Sequence, residues 1–278
     1  YSYYGRFGNM KFFIVFALCI AAASAYTVGS PVLASTDGIN GRITNGERAA
    51  AGQFPYQVGL SLKKSIFSSS WCGGSLISSE WVLTAAHCTD GISEITVYLG
   101  ATVRTSPEVK HTVSKDKVII HSDWNSKKIV NDISLIRIPA TSFTSKISAV
   151  KLPSIASTYS SYSGDRVVAS GWGLTSDSAS SVSSNLMYAT LEIVANTVCS
   201  RIYGTSSVKA SNICVSTPNG ISTCSGDSGG PLVLESSKIQ VGLTSYGAAD
   251  GCELGYPAAF TRITSYLDWI KEHSGVEH

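Results

Sequence analysis

The string Thr223-Cys224-Ser225-Gly226-Asp227-Ser228-Gly229-Gly230-Pro231 constrains this chain more than any other stretch. Glycine at 226, 229 and 230 lets the backbone take dihedrals closed to other residues and lets a ligand come close to its N–H groups. Cys224 offers a covalent anchor beside them. The hydroxyl of Ser228 is a poor nucleophile at neutral pH until a base takes its proton and donors hold the resulting oxyanion. A bare GxSxG pattern also fits a plain Gly/Ser turn or the nucleophile elbow of an α/β-hydrolase. That fold needs an acid and then a histidine after the serine, and the chain ends 50 residues past Ser228.

The partners that Ser228 needs stand upstream. His87 lies in Leu83-Thr84-Ala85-Ala86-His87-Cys88, after an apolar run, among small residues and before a cysteine that would fix it. Asp132 heads the strand-like stretch Asn131-Asp132-Ile133-Ser134-Leu135-Ile136 and supplies an acid to orient an imidazole. Taken alone, His87 reads as a core histidine and Asp132 as a turn former. The order His, Asp, Ser with these surroundings points to nucleophilic catalysis.

With these motifs the chain resembles the trypsin/chymotrypsin family of serine endopeptidases, in its chymotrypsin-like branch. The resemblance also rests on Ile43-Thr44-Asn45-Gly46, Pro55-Tyr56-Gln57-Val58, Cys72-Gly73-Gly74-Ser75-Leu76-Ile77, Gly171-Trp172-Gly173 and Thr244-Ser245-Tyr246-Gly247, so it runs from residue 43 to the end. It implies an all-β fold of two six-stranded antiparallel barrels, with the active site in the cleft between them and a C-terminal helix. It implies that His87 takes the proton of Ser228 and returns it to the leaving amine, that Asp132 fixes the imidazole, and that the N–H groups of Gly226 and Ser228 hold the oxyanion. Ser245 matches the position whose hydroxyl supports the aspartate.

The strand reading stands on the residues themselves. Segments 56–62, 75–77, 81–84, 94–99, 133–138, 167–170, 232–234 and 240–245 are short, rich in β-branched or aromatic residues, and bounded by Gly, Pro, Ser or Asp. Helical periodicity appears near the end, where Tyr266, Leu267, Trp269 and Ile270 share a face. Serine-rich stretches 65–70 and 176–184 read as exposed loops.

Residues 10–25, with Met10-Lys11, an apolar run and Ala23-Ser24-Ala25, have the pattern of a secretory signal too short to span a bilayer comfortably. Residues 1–9 precede it without a physical account. Residues 26–42 then read as an activation propeptide ending in Arg42, ahead of a protease domain over 43–278. Cleavage by a trypsin-like protease would expose Ile43, whose amine, by the resemblance, pairs with Asp227 and shapes the oxyanion hole. The expected setting is extracellular, with digestion, possible in a gut lumen, as the role.

Charged residues make up 14% of the chain, against a typical ~25%, and 44% are apolar, which suits one large core. Removing Arg6, Lys11 and Arg42 from 21 basic residues, and Asp37 from 19 acidic ones, leaves 18 of each. A neutral domain gives no electrostatic case for nucleic acid or an anionic membrane. The expected partners are polypeptide substrates, an activating protease and protein inhibitors, and the expected state is a monomer.

Of seven cysteines, Cys19 falls in the signal, and six in a secreted chain imply disulfides in any of fifteen connectivities. The resemblance suggests Cys72–Cys88, Cys199–Cys214 and Cys224–Cys252. No Cys/His spacing supports zinc. Leu99-Gly100 is followed by Ala101-Thr102-Val103-Arg104 rather than by acids, so neither calcium nor any other metal or cofactor is expected.

By the same resemblance the substrate pocket is lined by Ser222, Ser245, Tyr246, Gly247 and Ala258. A neutral serine at 222 cannot compensate a buried cation, and Gly247 leaves the entrance open, so large apolar or aromatic residues are expected before the cut bond. The methyl of Ala258 makes a preference for small residues the alternative. The rival from another class is a non-catalytic homologue acting as a binding module.

Overall fold

Apolar residues alternating at a period of two put one row of side chains inside a curved sheet and the other outside. The structure is a computed structural model describing residues 43–65 and 68–278. The expected extension, signal and propeptide (1–9, 10–25 and 26–42), with Arg42, lie outside the described residues. The first eight strands are β1 (Glu47–Arg48), β2 (Gln57–Ser65), β3 (Ser68–Leu76), β4 (Trp81–Thr84), β5 (Glu94–Leu99), β6 (Val109–Ser114), β7 (Val118–Ile120) and β8 (Ser134–Arg137). They are followed by β9 (Arg166–Gly171), β10 (Met187–Val194), β11 (Asn212–Ser216), β12 (Pro231–Leu234), β13 (Gln240–Tyr246) and β14 (Ala258–Arg262). Alternation is plainest in β5, where Ile95, Val97 and Leu99 are buried and Glu94, Thr96 and Tyr98 less so.

Strands β9 to β14 close into a six-stranded antiparallel barrel in the ring order β9-β10-β11-β14-β13-β12, and β1 adds to β10 outside the ring. Val167, Leu191, Ile213, Leu232, Val241 and Phe260 fill it. The other sheet runs β6-β5-β2-β3-β4-β8-β7 and is curled around Leu60, Leu62, Val82, Ile95, Val97 and Ile136. Its end strands, β6 and β7, are joined by the 3₁₀ turn Lys115–Lys117. A single bent segment thus serves as the sixth stave, and the ring closes through the chain rather than through a ladder. The break falls on three polar residues that cannot continue the apolar alternation. The architecture is the two-barrel, all-β fold with a C-terminal helix.

Three short helices complete the described chain: α1 (Ala86–Thr89), α2 (Asn196–Tyr203) and α3 (Leu267–Ser274). In α3, Leu267 and Ile270 are buried beside Tyr266, with Trp269 partly buried. The helix stops at Gly275, whose left-handed conformation lets its N–H donate to the Lys271 carbonyl at 2.8 Å. Of the stretch 65–70, expected as an exposed loop, the described residues Ser65 and Ser68–Ser70 are strand. Ser68–Ser70 are exposed but pair with β2 as the start of β3, because exposed serines can occupy the solvent side of an edge that a hairpin extends. The loop 176–184 is irregular and mostly exposed, although Ser183 is buried. Disulfides join Cys72–Cys88, Cys199–Cys214 and Cys224–Cys252. Each closes a short loop worth roughly 3 kcal/mol in the chain-entropy account.

Candidate active site

Strand β4 delivers the chain into α1, which carries His87, and the turn before β8 carries Asp132. Antiparallel pairing of Thr84 with Ser134 brings the two segments side by side. Ser134 and Thr89 link them further: Thr89 Oγ1 donates to Ser134 Oγ at 2.9 Å, and Ser134 Oγ donates to the Ala85 carbonyl at 3.2 Å. The His87 ring Nδ1 lies 2.8 Å from Asp132 Oδ2, and the His87 backbone N–H donates to Asp132 Oδ1 at 2.9 Å. An ionised carboxylate only accepts, so Nδ1 carries the proton and Nε2 is left with a lone pair. The Asp132 side chain is buried while His87 keeps an exposed edge.

The second barrel grips that acid. Ser245 Oγ donates to Asp132 Oδ2 at 2.5 Å, and Thr261 Oγ1 donates to the Asp132 backbone carbonyl at 2.8 Å. Asn131 holds a left-handed φ of 55°, and its side-chain oxygen accepts from the Tyr266 hydroxyl at 3.0 Å. Thr261, Asn131 and Tyr266 were not singled out from sequence. The only sign of them was Asn beside Asp132, a residue that tolerates positive φ.

Ser228 sits in the turn between residue 222 and β12. Its carbonyl accepts from Gly73 N–H at 2.8 Å, and Thr84 Oγ1 donates to the Gly73 carbonyl at 2.8 Å, so β3 of the first barrel anchors the serine segment. The N–H groups of Asp227, Gly229 and Gly230 donate internally, to Cys224, Thr244 and Asp227 carbonyls. Among the described residues, those of Gly226 and Ser228 have no internal acceptor, and this pair can serve an oxyanion. Gly226 has φ 101°, and a Cβ there would lie 2.7 Å from Val182. Among the described residues no hydrogen bond joins Ser228 Oγ to His87; such contacts often tighten only when substrate binds.

Asp227 is fully buried, with its carboxylate accepting from Gly173 N–H at 2.7 Å and from Cys224 N–H at 2.9 Å. Burial pushes its pKa up to about 7 against those two donors. Ile43 is likewise fully buried in the core of the second barrel. The next residue, Thr44, bridges to Ser222: its hydroxyl donates to the Ser222 carbonyl at 3.0 Å and accepts from the Ser222 N–H at 3.1 Å.

A cavity of about 240 Å³ opens beside Ser228, lined among others by Ser222, Ser245, Tyr246, Gly247, Cys252 and Tyr256. No charged side chain lines it. Ala258, expected on its wall, is not among the lining residues: it lies in the barrel core at 2% exposure, paired with Val215, because β14 turns that side chain inward. Two groupings of residue types able to ligate metal occur among the described residues, one with Cys72 and Cys88 and one with Cys224 and Cys252, and those sulfurs are joined as disulfides.

A buried acid, an oriented imidazole, a serine hydroxyl beside a cavity and two N–H groups without an internal acceptor define the site class of serine hydrolases built on two β-barrels. The chain belongs to the trypsin family, whose description, Trypsin, matches residues 43–270. It is a serine-type endopeptidase, a hydrolase of polypeptides. It is 46% identical over 243 residues to "Serine protease 1" of Drosophila melanogaster, covering 86% of this chain and 88% of that protein. It is 37% identical to "Collagenase" of Hypoderma lineatum, covering 96% and 99%, and 37% identical to "Chymotrypsin" of Phaedon cochleariae, covering 84% and 82%. A solved collagenase structure superposes with a TM-score of 0.78 at 35% identity, covering 84% of this chain and all of that one. Among the described residues no helix is long and apolar enough to cross a membrane.

Proposed function

We propose that this protein is a secreted, digestive endopeptidase, made as a precursor, that cuts after large apolar or aromatic residues. In this reading Ser228 Oγ attacks the peptide carbonyl while His87 Nε2 takes its proton, and His87 then protonates the leaving amine. Asp132 holds the ring and stabilises its cation, and the N–H groups of Gly226 and Ser228 receive the oxyanion. The observation that carries the reading is that Ser228, whose N–H has no internal acceptor among the described residues, lines an uncharged cavity.

Specificity follows from the lining. A cavity without an acid leaves Arg or Lys desolvated and unpaired. Gly247 has open space where a Cβ would stand, and Ala258 does not narrow the cavity, which favours Phe, Tyr, Leu or Met over small residues. Cleavage after Arg42 by another, Arg-specific protease frees the Ile43 ammonium to pair with Asp227, whose lone buried carboxylate is costly. The family match begins at that same Ile43.

Matched peptide anilides ending in Phe, Leu, Ala or Arg test this, before and after trypsin treatment and trypsin inactivation. The expected result is activity only after cleavage, strongest on Phe or Leu, and none in trypsin-treated Arg42→Gln. Preference for Ala or Arg would overturn the specificity, full activity of Arg42→Gln the activation step, and no hydrolysis by any form the catalytic assignment.

A further inference from the structure

The loop 174–184 lies against both the serine turn and the segment 251–253, which lines the serine cavity through Gly251 and Cys252. Leu174 N–H donates to the Ser225 carbonyl at 2.8 Å, and Val182 packs over Gly226, so the ends of the loop are fixed at the oxyanion side. Its tip meets the segment 251–253. Cys252 N–H donates to Asp177 Oδ1 at 2.6 Å, Glu253 N–H donates to Asp177 Oδ2 at 3.2 Å, and Asp177 N–H donates to Glu253 Oε2 at 2.7 Å. Each acid accepts from the other's backbone, and such charge-assisted bonds are the stronger kind. Gly251 has no Cβ to obstruct this approach; one built there would lie 2.5 Å from an Asp177 oxygen. Gly251 and Cys252 both line the cavity. The carboxylate of Glu253 is therefore directed at the Asp177 backbone and is not among the groups lining the cavity.

We propose that Asp177 is a positioning residue that fastens the loop 174–184 to the cavity wall and thereby sets the preference for large side chains. The Cys224–Cys252 disulfide ties the serine turn to the same segment covalently, but at one point only. The reciprocal pair adds a second point, which fixes the orientation of residues 251–253 as well as their distance from the serine turn. A large substrate side chain that reaches the wall senses this orientation, whereas a methyl group does not extend that far. The proposal rests on the reading that this cavity holds the residue before the cut bond.

The test uses the cleavage-activated protein carrying Asp177→Ala, Asp177→Asn, Glu253→Ala or Glu253→Gln, with Ser228 titrated by a fluorophosphonate so that rates refer to competent sites. Hydrogen-bond losses at a partly exposed pair predict that Asp177→Ala raises KM on the Phe anilide by about five- to tenfold. The Phe-to-Ala ratio of kcat/KM should fall with it, with kcat changing less than KM. Glu253→Gln and Asp177→Asn keep one acceptor each and should restore part of the ratio, Glu253→Ala should lower it, and combining both alanines should add little. An unchanged ratio in Asp177→Ala, or an equal loss on Phe and Ala, overturns the proposal. A wild-type protein that binds the phosphonate and prefers Ala would instead refute the specificity reading, and one that neither binds it nor hydrolyses any anilide the catalytic reading.

Discussion

The two barrels contribute to the site in opposite ways. The first holds His87 and Asp132 by local geometry: adjacent strands, two carboxylate oxygens on one residue and a disulfide next to the imidazole. The second supplies Ser228 from an irregular glycine-rich turn held by a buried carboxylate whose described partners are two N–H groups. The second half contains a group, Asp227, whose cost depends on whether a cation reaches it, so the proposed cut after Arg42 would act on the serine side. The two remain one site because Ser245 and Thr261 reach back from the second barrel to Asp132.

The largest expected effect probes the first half. Asp132→Asn offers an amide where two donors now converge, which turns the ring to the wrong tautomer. A fall in kcat of about 10⁴-fold is expected, the figure of the family's template enzymes rather than one obtained from this chain. Phosphonate labelling of Ser228 should slow in step while thermal unfolding barely shifts. A loss under about tenfold would mean the acid is not needed to orient His87, and the contrast between the barrels would fail on its firmer side.

A smaller effect probes the switchable half through pH. Asp227 has its folded-state pKa raised by burial from 3.8 to about 7. A raised carboxyl favours the folded state while protonated, so its contribution is full below about pH 4 and is lost as pH rises through about 7. The uncleaved protein should therefore lose stability across that window, by on the order of 4 kcal/mol from this one group. Asp227→Asn should remove that share of the slope, and so should cleavage after Arg42, which supplies a cation. Urea unfolding of uncleaved, cleaved and Asp227→Asn proteins from pH 4 to 8 measures it. Equal slopes in the cleaved and uncleaved forms would break the assignment of Asp227 as the switch.

Much of the site was legible in sequence because each group sits in a motif with its own local reason: His87 before a cysteine, Asp132 before an apolar run, Ser228 among glycines. The strand at 94–99 was legible because its alternation is uninterrupted, and that at 81–84 because it is a short, mostly apolar run. Elements without such marks were not. Helix α2 has eight residues and buries only Cys199, too short a stretch and too little buried for its pattern to stand out. Strand β3 begins in serines that have no strand preference and are paired only because β2 runs beside them. Thr261, Tyr266 and Asp177 act through partners 129, 135 and 75 or 76 positions away, separations at which residue patterns say nothing. Ala258 misled in the other direction, since a position matched by resemblance carried a side-chain direction that β14 does not give it.

The smallest effect concerns the seam between segment 43–46 and the cavity. Thr44 is fully buried, and its hydroxyl both donates to and accepts from the backbone of Ser222, a residue of the cavity lining. The Ser222 N–H also faces the Thr44 carbonyl at 3.4 Å, a weaker contact that survives loss of the hydroxyl. Thr44→Val keeps the shape and removes the hydroxyl, so one buried carbonyl loses its donor and one N–H keeps only its longer partner. A net cost near 1 kcal/mol predicts a rise in KM of about three- to tenfold on the Phe anilide, with kcat and the histidine half unaffected. Thr44→Ser should restore KM, because the hydroxyl rather than the methyl makes both bonds. If Thr44→Val leaves KM unchanged, the link between the cut end and the cavity runs through backbone alone. If instead kcat falls while KM rises, the seam reaches the serine turn itself.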